Sequence, residues 1–558
     1  MTARVIPFGD RALLVEVDDV AAAHLLAAAV DRARAGGRAP RSVTEVVVGM
    51  GNVVIHLDER TDGDDVHRWV ESIATRPPPT PPGAGPARGP VHLPVVFDGP
   101  DLEEVAGLTG HTGDQVVALL TGARLTVAFL GFAPGFPYLT GLPPVLAAVP
   151  RRSTPRTAVP AGSVAVGGGF ASVYPRSTPG GWRLLGRTAT PMFDPDHPPF
   201  ALLRPGDGVR FSVADASGGP DAGAGPAASP RAPREPLAAR GPRFVEVLDP
   251  GLLSLVEDAG RRGVASMGVP GAGPADADTF RLANRLAGNP DGAAAIEVTA
   301  SGPRLRFTGP AHLAVVTPPG GHLRVEVDGH PVGTGSVIPV ADGQEVVVGR
   351  LRGALRAYLA VAGGLGTPPV LGSRSTDLLS GVGPGPLRAG DRLDLGPPTQ
   401  PHGLLDAPVG PARSDPPRVI RILEGPHRVA PGAGVRSMVG PWTVDPASDR
   451  IGVRLRPGVG TAVPVAERIP STGMVTGAIQ LPPDGHPIIL GPDHATVGGY
   501  PVVGCVISAD LPVVGQLGPG DTVALATVDR AEARAARRQA DRTLAARVSG
   551  WFPTRAAL

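Results

Sequence analysis

The sequence predicts a mainly β protein: about three β-barrels, a small α+β unit at the N-terminus and a helix at the C-terminus. Short apolar runs recur through residues 91–215 and 241–530, closed by PGG, GPG, PGD and DG turns, the rhythm of barrels and sandwiches. The first 75 residues instead alternate strands with a helix. Residues 529–548, DRAEARAARRQADRTLAARV, are rich in Ala and Arg and contain neither Gly nor Pro. At roughly 100–200 residues per domain, 558 residues imply three to five such units.

The elements follow in chain order. Residues 12–17 and 46–57 read as strands, rich in Val and Leu. Residues 20–34, VAAAHLLAAAVDRAR, have helical apolar spacing, and Gly36-Gly37 ends the helix. A proline-rich linker (76–90, RPPPTPPGAGPARGP) and a flexible one (216–240) separate 1–75, 91–215 and 241–528. The last of these divides at about 400, and a helical tail occupies 529–558. Strands are expected at 91–97, 163–166, 313–316, 323–327 and 345–348, and helices at 101–108, 112–120 and 276–286. An internal echo supports related barrels. Tyr174-Pro175 and Tyr500-Pro501 each precede an apolar strand and then a turn, Arg204-Pro205-Gly206-Asp207 and Gly518-Pro519-Gly520-Asp521, with a third copy of that turn at Arg388-Ala389-Gly390-Asp391.

Composition excludes whole reaction classes. All 52 basic residues are arginine. No lysine can reach a phosphate from a P-loop, form a Schiff base or carry covalent biotin on this chain. Cys505 stands alone, so no internal disulfide or CxxC pair exists. A net charge of +1 gives no electrostatic case for nucleic acid. The N-terminus lacks a signal-peptide layout and no apolar run reaches membrane-spanning length, so a soluble cytoplasmic protein is expected. The 13 histidines show no HxH, HxxH or HExxH spacing, and no metal site is assigned.

Several segments have the residue types for binding or catalysis. FLGFAPGFPYLTGLP, 129–143, interleaves aromatics, prolines and glycines. It reads as a tightly packed barrel plug, or as a pocket wall with Phe132, Gly135, Phe136 and Tyr138 around a small ligand. Arg156 and Arg187 sit beside constrained turns, near Ser163, Tyr174 and Trp182, where a guanidinium can grip a carboxylate or phosphate; a structural ion pair is the plain alternative. Asp276 follows a Gly/Pro loop and is a candidate helix N-cap, with Asn284 further along that helix. Arg374 and Asp377 lie in GSRSTD, and Asp449, Arg450 and Arg454 in SDRIGVR, groups suited to phosphate and Mg²⁺ handling and equally to turns. Gln480, Asp493 and Tyr500 complete the candidates.

These motifs carry a family resemblance. FGDRALLVEV, FLGFAPGFPYLTGLP, PRTAVPAGSVAVGG and PGGWRLLGRT resemble the KipI family, the 5-oxoprolinase B subunit or allophanate hydrolase subunit 1. VEDAGRRGVASMGVPGAGPADADTFRLANRLAGN, AVAGGLGTPPVLGSRSTDL, GAIQLPPDGHPIIL and GGYPVVGCVISADLP resemble the KipA family, the 5-oxoprolinase C subunit. A similar pair forms the carboxyltransferase domain of urea carboxylase and urea amidolyase. The resemblance implies cyclophilin-like barrels and ATP-dependent opening of 5-oxoproline to glutamate, together with a separate LamB/YcsF-type protein as the third, A-type component. It implies ATP and Mg²⁺, arginines at Arg156, Arg187, Arg374, Arg450 and Arg454 on substrate and phosphate, and Asp276, Asp377 and Asp449 on the cation. The alternatives are a carboxyltransferase acting on urea or another small amide, with biotin on another chain, and a KipI-like kinase regulator. Two such chains are expected to be able to pair. Phe170 and Ala495 stand where the family has glutamines, a loss that implies a shifted substrate, weaker activity or a regulatory role, and the family's VQDLGR appears here with Glu257 in its second place.

Overall fold

The computed structural model describes residues 3–58, 63–75, 89–215, 236–401, 417–428, 438, 440–458 and 468–547. The proline-rich stretch at 76–90, the Gly/Pro stretch at 216–240 and the end of the tail lie largely or wholly outside these residues.

The N-terminal unit is an antiparallel sheet in the order Ala3–Pro7, Ala12–Val17, Asn52–Leu57, Val43–Gly49, with helices Val20–Ala35 and Gly63–Thr75 against it. Asp19 caps the first helix by accepting from the Ala22 N–H at 2.7 Å, and Gly36 closes it. Leu26 and Val30 of this helix enter one core with Val46 and Ile55 of the sheet. The expected single strand over 46–57 is a hairpin. Gly51 (φ +72°) turns the chain, and a valine-rich run reads alike on both sides of so short a turn.

The second unit is a seven-stranded sheet: Arg183–Arg187, Ser163–Gly167, Phe170–Val173, Pro137–Thr140, Leu125–Leu130, Gly208–Val213, Val91–Val95. A bridge between Val96 and Arg187 joins its outer strands, so the barrel nearly closes. Helix Gly113–Gly122 begins with a capping box in which Thr112 and Gln115 satisfy each other's backbone. The third unit stacks a six-stranded on a five-stranded sheet over one core containing Val245, Ile296, Phe307 and Leu359. The fourth is a closed barrel: Arg418–Glu424, Val502–Val506, Ala478–Gln480, Ile488–Leu490, Gly452–Pro457, Trp442–Val444, Thr522–Thr527.

The recurring turn has one geometry. Asp207, Asp391 and Asp521 each accept from the backbone N–H three residues earlier at 2.9 Å, and each follows a glycine of positive φ. In the two barrels the strand after this turn pairs in parallel with the first strand of its unit; in the third unit that pairing is antiparallel. Helix Arg530–Ala546, capped by Asp529, sets Ala533 against Leu423 and Ile507, and Leu544 into the cluster around Phe280.

The two halves close on each other. Phe8, Ala12, Leu14 and Val54 share a core with Met474, Ala478, Val502 and Cys505. The Met50 N–H donates to the Ser471 carbonyl (2.7 Å), the Ser508 hydroxyl to Asp10 (2.7 Å), the Gly135 N–H to the Met267 carbonyl (2.8 Å), and Arg176 to the Leu379 carbonyl (2.9 Å). No helix among the described residues is long and apolar enough to cross a membrane.

Candidate functional site

The aromatic segment folds onto itself. Phe136, 2% exposed, is ringed by Phe132, Tyr138, Tyr174 and Trp182 at centroid distances of 5.2, 5.2, 5.1 and 5.6 Å. Burial pushes the Tyr138 and Tyr174 hydroxyls up to about 12. Phe170, in place of the family's glutamine, lies stacked on Trp182 at 6.4 Å and edge-on to Tyr138 at 5.4 Å. An apolar ring here replaces an amide that would need hydrogen-bond partners, and it joins the packing. Gly135 has a φ of +73°, and a Cβ there would meet the Met192 carbonyl and Phe193 Cβ at 2.8 Å. Ser163 is buried in its strand, and its carbonyl accepts from the Tyr174 N–H (2.9 Å).

The first-half arginines are held by carboxylates. Arg156 grips Asp101 through two nitrogens at 2.9 and 2.7 Å; burial opposes the Asp101 charge, but Arg156 and the Leu184 N–H hold its carboxyl below the usual range. Arg187 donates to Asp98 at 2.9 Å.

The second half gathers charge in its interior. Arg450 is fully buried. It reaches Glu297 at 2.5 Å, Asp493 at 3.0 Å through two nitrogens, Glu257 at 3.2 Å and the Gly273 carbonyl at 2.6 Å. Glu297 also accepts from the Tyr358 hydroxyl (2.7 Å) and the Ala275 N–H (2.9 Å). Burial opposes the Glu297 charge, but Arg450 and Arg356 outweigh it and hold the carboxyl below its ordinary value. Neither oxygen of Glu257 has a hydrogen-bond partner among the described residues; burial, then Glu297 and Asp493, push it well above the carboxylate range despite Arg450. The two carboxyls are thus pushed in opposite directions, Glu257 up by its burial and Glu297 down by its two arginines.

Asp276 borders this network. It caps helix Ala277–Leu286 by accepting from the Thr279 N–H (3.0 Å) and hydroxyl (2.7 Å), and it accepts from Gln516 at 2.8 Å; burial raises its carboxyl to about 6. Asp377 is reached through Asp493, which accepts from the Leu378 N–H (3.1 Å). Burial first, then Asp493, raises Asp377 to about 6. Asp377, Arg450 and Asp493 are therefore brought together, and Asp276 joins them only through its N–H, which donates to the Tyr358 hydroxyl (2.8 Å). The others stand apart from this cluster, although Asp449, like Arg450, lines the cavity described below. The Arg374 side chain donates to the Thr367 carbonyl (2.7 Å), and Asp449 accepts from the N–H groups of its own turn at 2.8 and 3.1 Å. The Arg454 N–H donates to the Ser448 hydroxyl, and Asn284 donates to the Ala293 carbonyl (2.9 Å). Gln480 meets the Met474 sulfur (3.4 Å), and Tyr500 lies 5.2 Å from the Arg468 guanidinium.

A cavity of about 530 Å³ opens beside the buried cluster, where the halves meet. The first half contributes Arg11, Glu45 and His56, and the second contributes Arg261, Arg450 and His494. Burial, with His494 and Arg11 nearby, lowers His56 to about 3, so its imidazole is neutral. None of the aromatic residues of 129–143 lines this cavity. Glu45, His56, Glu257, Glu297, Arg261 and Tyr358 are absent from the sequence candidates. The signal for the acids was there: Glu257 ends the apolar strand LSLVE and Glu297 interrupts the apolar strand AIEVT. Among the described residues no group of three or more His, Cys, Asp and Glu side chains is placed to hold a metal ion. Asp276, Asp377 and Asp449 are each taken up by nearby backbone N–H groups and do not converge on one point.

The sequence matches the carboxyltransferase domain family twice, subdomains C and D over residues 3–203 and subdomains A and B over 267–527. It is 44% identical to the 5-oxoprolinase B subunit of Escherichia coli O157:H7 over 179 residues, covering 30% of this chain and 78% of that one. It is 33% identical to the 5-oxoprolinase C subunit of Escherichia coli K12 over 311 residues, covering 54% of this chain and 96% of that one. The crystal structure of TTHA0988 superimposes with a TM-score of 0.77 at 33% identity, covering 94% of this chain and 99% of that one. Both halves thus find their counterparts in order along one polypeptide, and the chain belongs to the carboxyltransferase-domain family as a fusion of the counterparts of the 5-oxoprolinase B and C subunits.

Proposed function

We propose that the chain is the fused B and C component of an ATP-dependent 5-oxoprolinase, opening 5-oxoproline to glutamate together with a separate LamB/YcsF-type protein. The observation that supports it is the cavity shared by the two halves: residues of the B-like part and of the C-like part line one space. A lactam carbonyl is a weak electrophile. Phosphoryl transfer from ATP to its oxygen creates a leaving group, after which water can attack.

This chain's part is to bind and orient the substrate and to exclude bulk water. The Arg450 cluster fixes the loop carrying Gly273 and Ala275 against the barrel that supplies Asp493, and so sets one wall. His56, neutral beside the cavity, has a buried Nε2 without a hydrogen-bond partner among the described residues. Because Asp276, Asp377 and Asp449 do not converge, no step here is routed through Mg²⁺. The family's description, a carboxyltransferase domain, favours a second reading, carboxyl transfer; the acceptor would then be urea or another small amide, and the donor biotin on a separate chain.

The test supplies the purified chain with the LamB/YcsF-type protein, ATP and 5-oxoproline in one reaction, and with a biotinylated carrier and urea in another. Glutamate in the first alone supports the proposal. Carboxylated product in the second alone overturns it in favour of the second reading.

A further inference from the structure

Seven arginines and four carboxylates line the cavity between the halves, an excess of positive charge to which neither neutral His56 nor His494, lowered by burial, adds. Six of the arginines are engaged within the protein. Arg261 donates to the Val370 and Ser375 carbonyls, and Arg281 pairs with Asp278. Arg356 and Arg450 hold Glu297, Arg537 holds Asp541, and Arg11 also has a protein partner. Arg262 is the exception: it is exposed, it lines the cavity, and it has no hydrogen-bond or ion-pair partner among the described residues.

Its backbone is nevertheless held on both sides. Upstream, Asp258 accepts from the Ser373 hydroxyl (2.5 Å), the Ser375 hydroxyl (2.8 Å) and the Arg374 N–H (2.6 Å), and Arg261 is fixed as above. Downstream, the Ala265 N–H donates across the half-to-half boundary to Glu45 (2.5 Å). Gly260 (φ +82°) and Gly263 (φ +76°) supply the turns between these anchors. A free guanidinium on a clamped loop loses little backbone freedom when it takes a ligand.

We propose that Arg262 captures the carboxylate of a small amide substrate in this cavity, by a two-pronged hydrogen bond, and that it sets the preference for carboxylate-bearing over neutral amides. The ligand class rests on the 5-oxoprolinase reading above. A planar guanidinium matches a carboxylate edge.

Binding is measured on the full chain by calorimetry, with 5-oxoproline and with 2-pyrrolidinone, the same lactam without its carboxylate. A charge-assisted pair predicts 5-oxoproline tighter by about 10- to 100-fold. R262Q should erase that preference, leave 2-pyrrolidinone binding unchanged and leave the melting temperature unchanged, because Arg262 holds nothing else among the described residues. R262K should keep part of the preference. An undiminished preference in R262Q overturns the proposal, as does a wild-type chain that binds neither compound. Turnover with the LamB/YcsF-type protein and an unaltered KM in R262Q would sink this inference and leave the 5-oxoprolinase reading standing. Carboxylate-selective binding lost in R262Q, without turnover in the complete mixture, would do the reverse.

Discussion

Arg450→Met removes the one cation that Glu257, Glu297 and Asp493 share. Arg450 is 1% exposed and the three carboxylates are fully buried, so the pairing is made largely out of reach of solvent screening. Breaking a buried ion pair from one side costs about 3–5 kcal/mol, because charge is left uncompensated. For a unit of this size that is a fall in melting temperature of roughly 6–20 °C. The pH dependence has a definite sign. Glu297 is held below its ordinary value by Arg450, so its stabilisation is present above the unfolded pKa of about 4.3 and fades as acid protonates it. The gap between wild type and variant should therefore be widest at neutral pH and narrow below about pH 4.5. Differential scanning calorimetry at about pH 7 and about pH 4 measures both. A variant melting within about 2 °C of wild type at neutral pH would refute the reasoning.

Asp276 is raised to about 6, so it takes a proton in the fold while the unfolded chain is still ionised; through this residue stability falls as pH rises from the unfolded carboxylate range through about 6. D276N should lack that trend, seen as a difference in melting profile between about pH 5 and about pH 7.5, and parallel profiles would contradict it. Gly131→Ala should force the halves apart, because a Cβ there overlaps the Val497 side chain. The melting temperature should drop, and Val497→Ala in the same chain should restore part of it; no rescue would mean that the contact is not the cause. F136A should cost about 3–5 kcal/mol and weaken the near-ultraviolet aromatic signal, since it empties the centre of the ring cluster. An unchanged denaturation midpoint would contradict that packing role.

Local features were legible in the sequence where the physics is local. Asp276 reads as an N-cap from its place before a helix and is one. The tail helix starts at its capping Asp529, and the three GD turns, read as the mark of three barrels, share one geometry, but only two of the units are closed or nearly closed barrels and the third stacks two sheets. The 46–57 hairpin was hidden because valines flank its turn on both sides. The charge cluster was out of reach for another reason: Arg450 and Glu297 stand 153 residues apart, and no spacing rule links them. The sequence marked many arginines beside turns, but which of them are engaged depends on neighbours from other units. Arg156 and Arg450 prove to be held by carboxylates, whereas Arg262, inside the quoted VEDAGRRG motif, faces the cavity without a partner among the described residues.

Whether both halves act together as one component of a 5-oxoprolinase is tested most directly by an omission series, following ATP hydrolysis and glutamate release from 5-oxoproline in the same tube. Coupled ADP and glutamate formation is expected only when the chain, the LamB/YcsF-type protein, ATP and 5-oxoproline are all present. ATP consumed without glutamate, or no turnover in the complete mixture, would contradict that joint role.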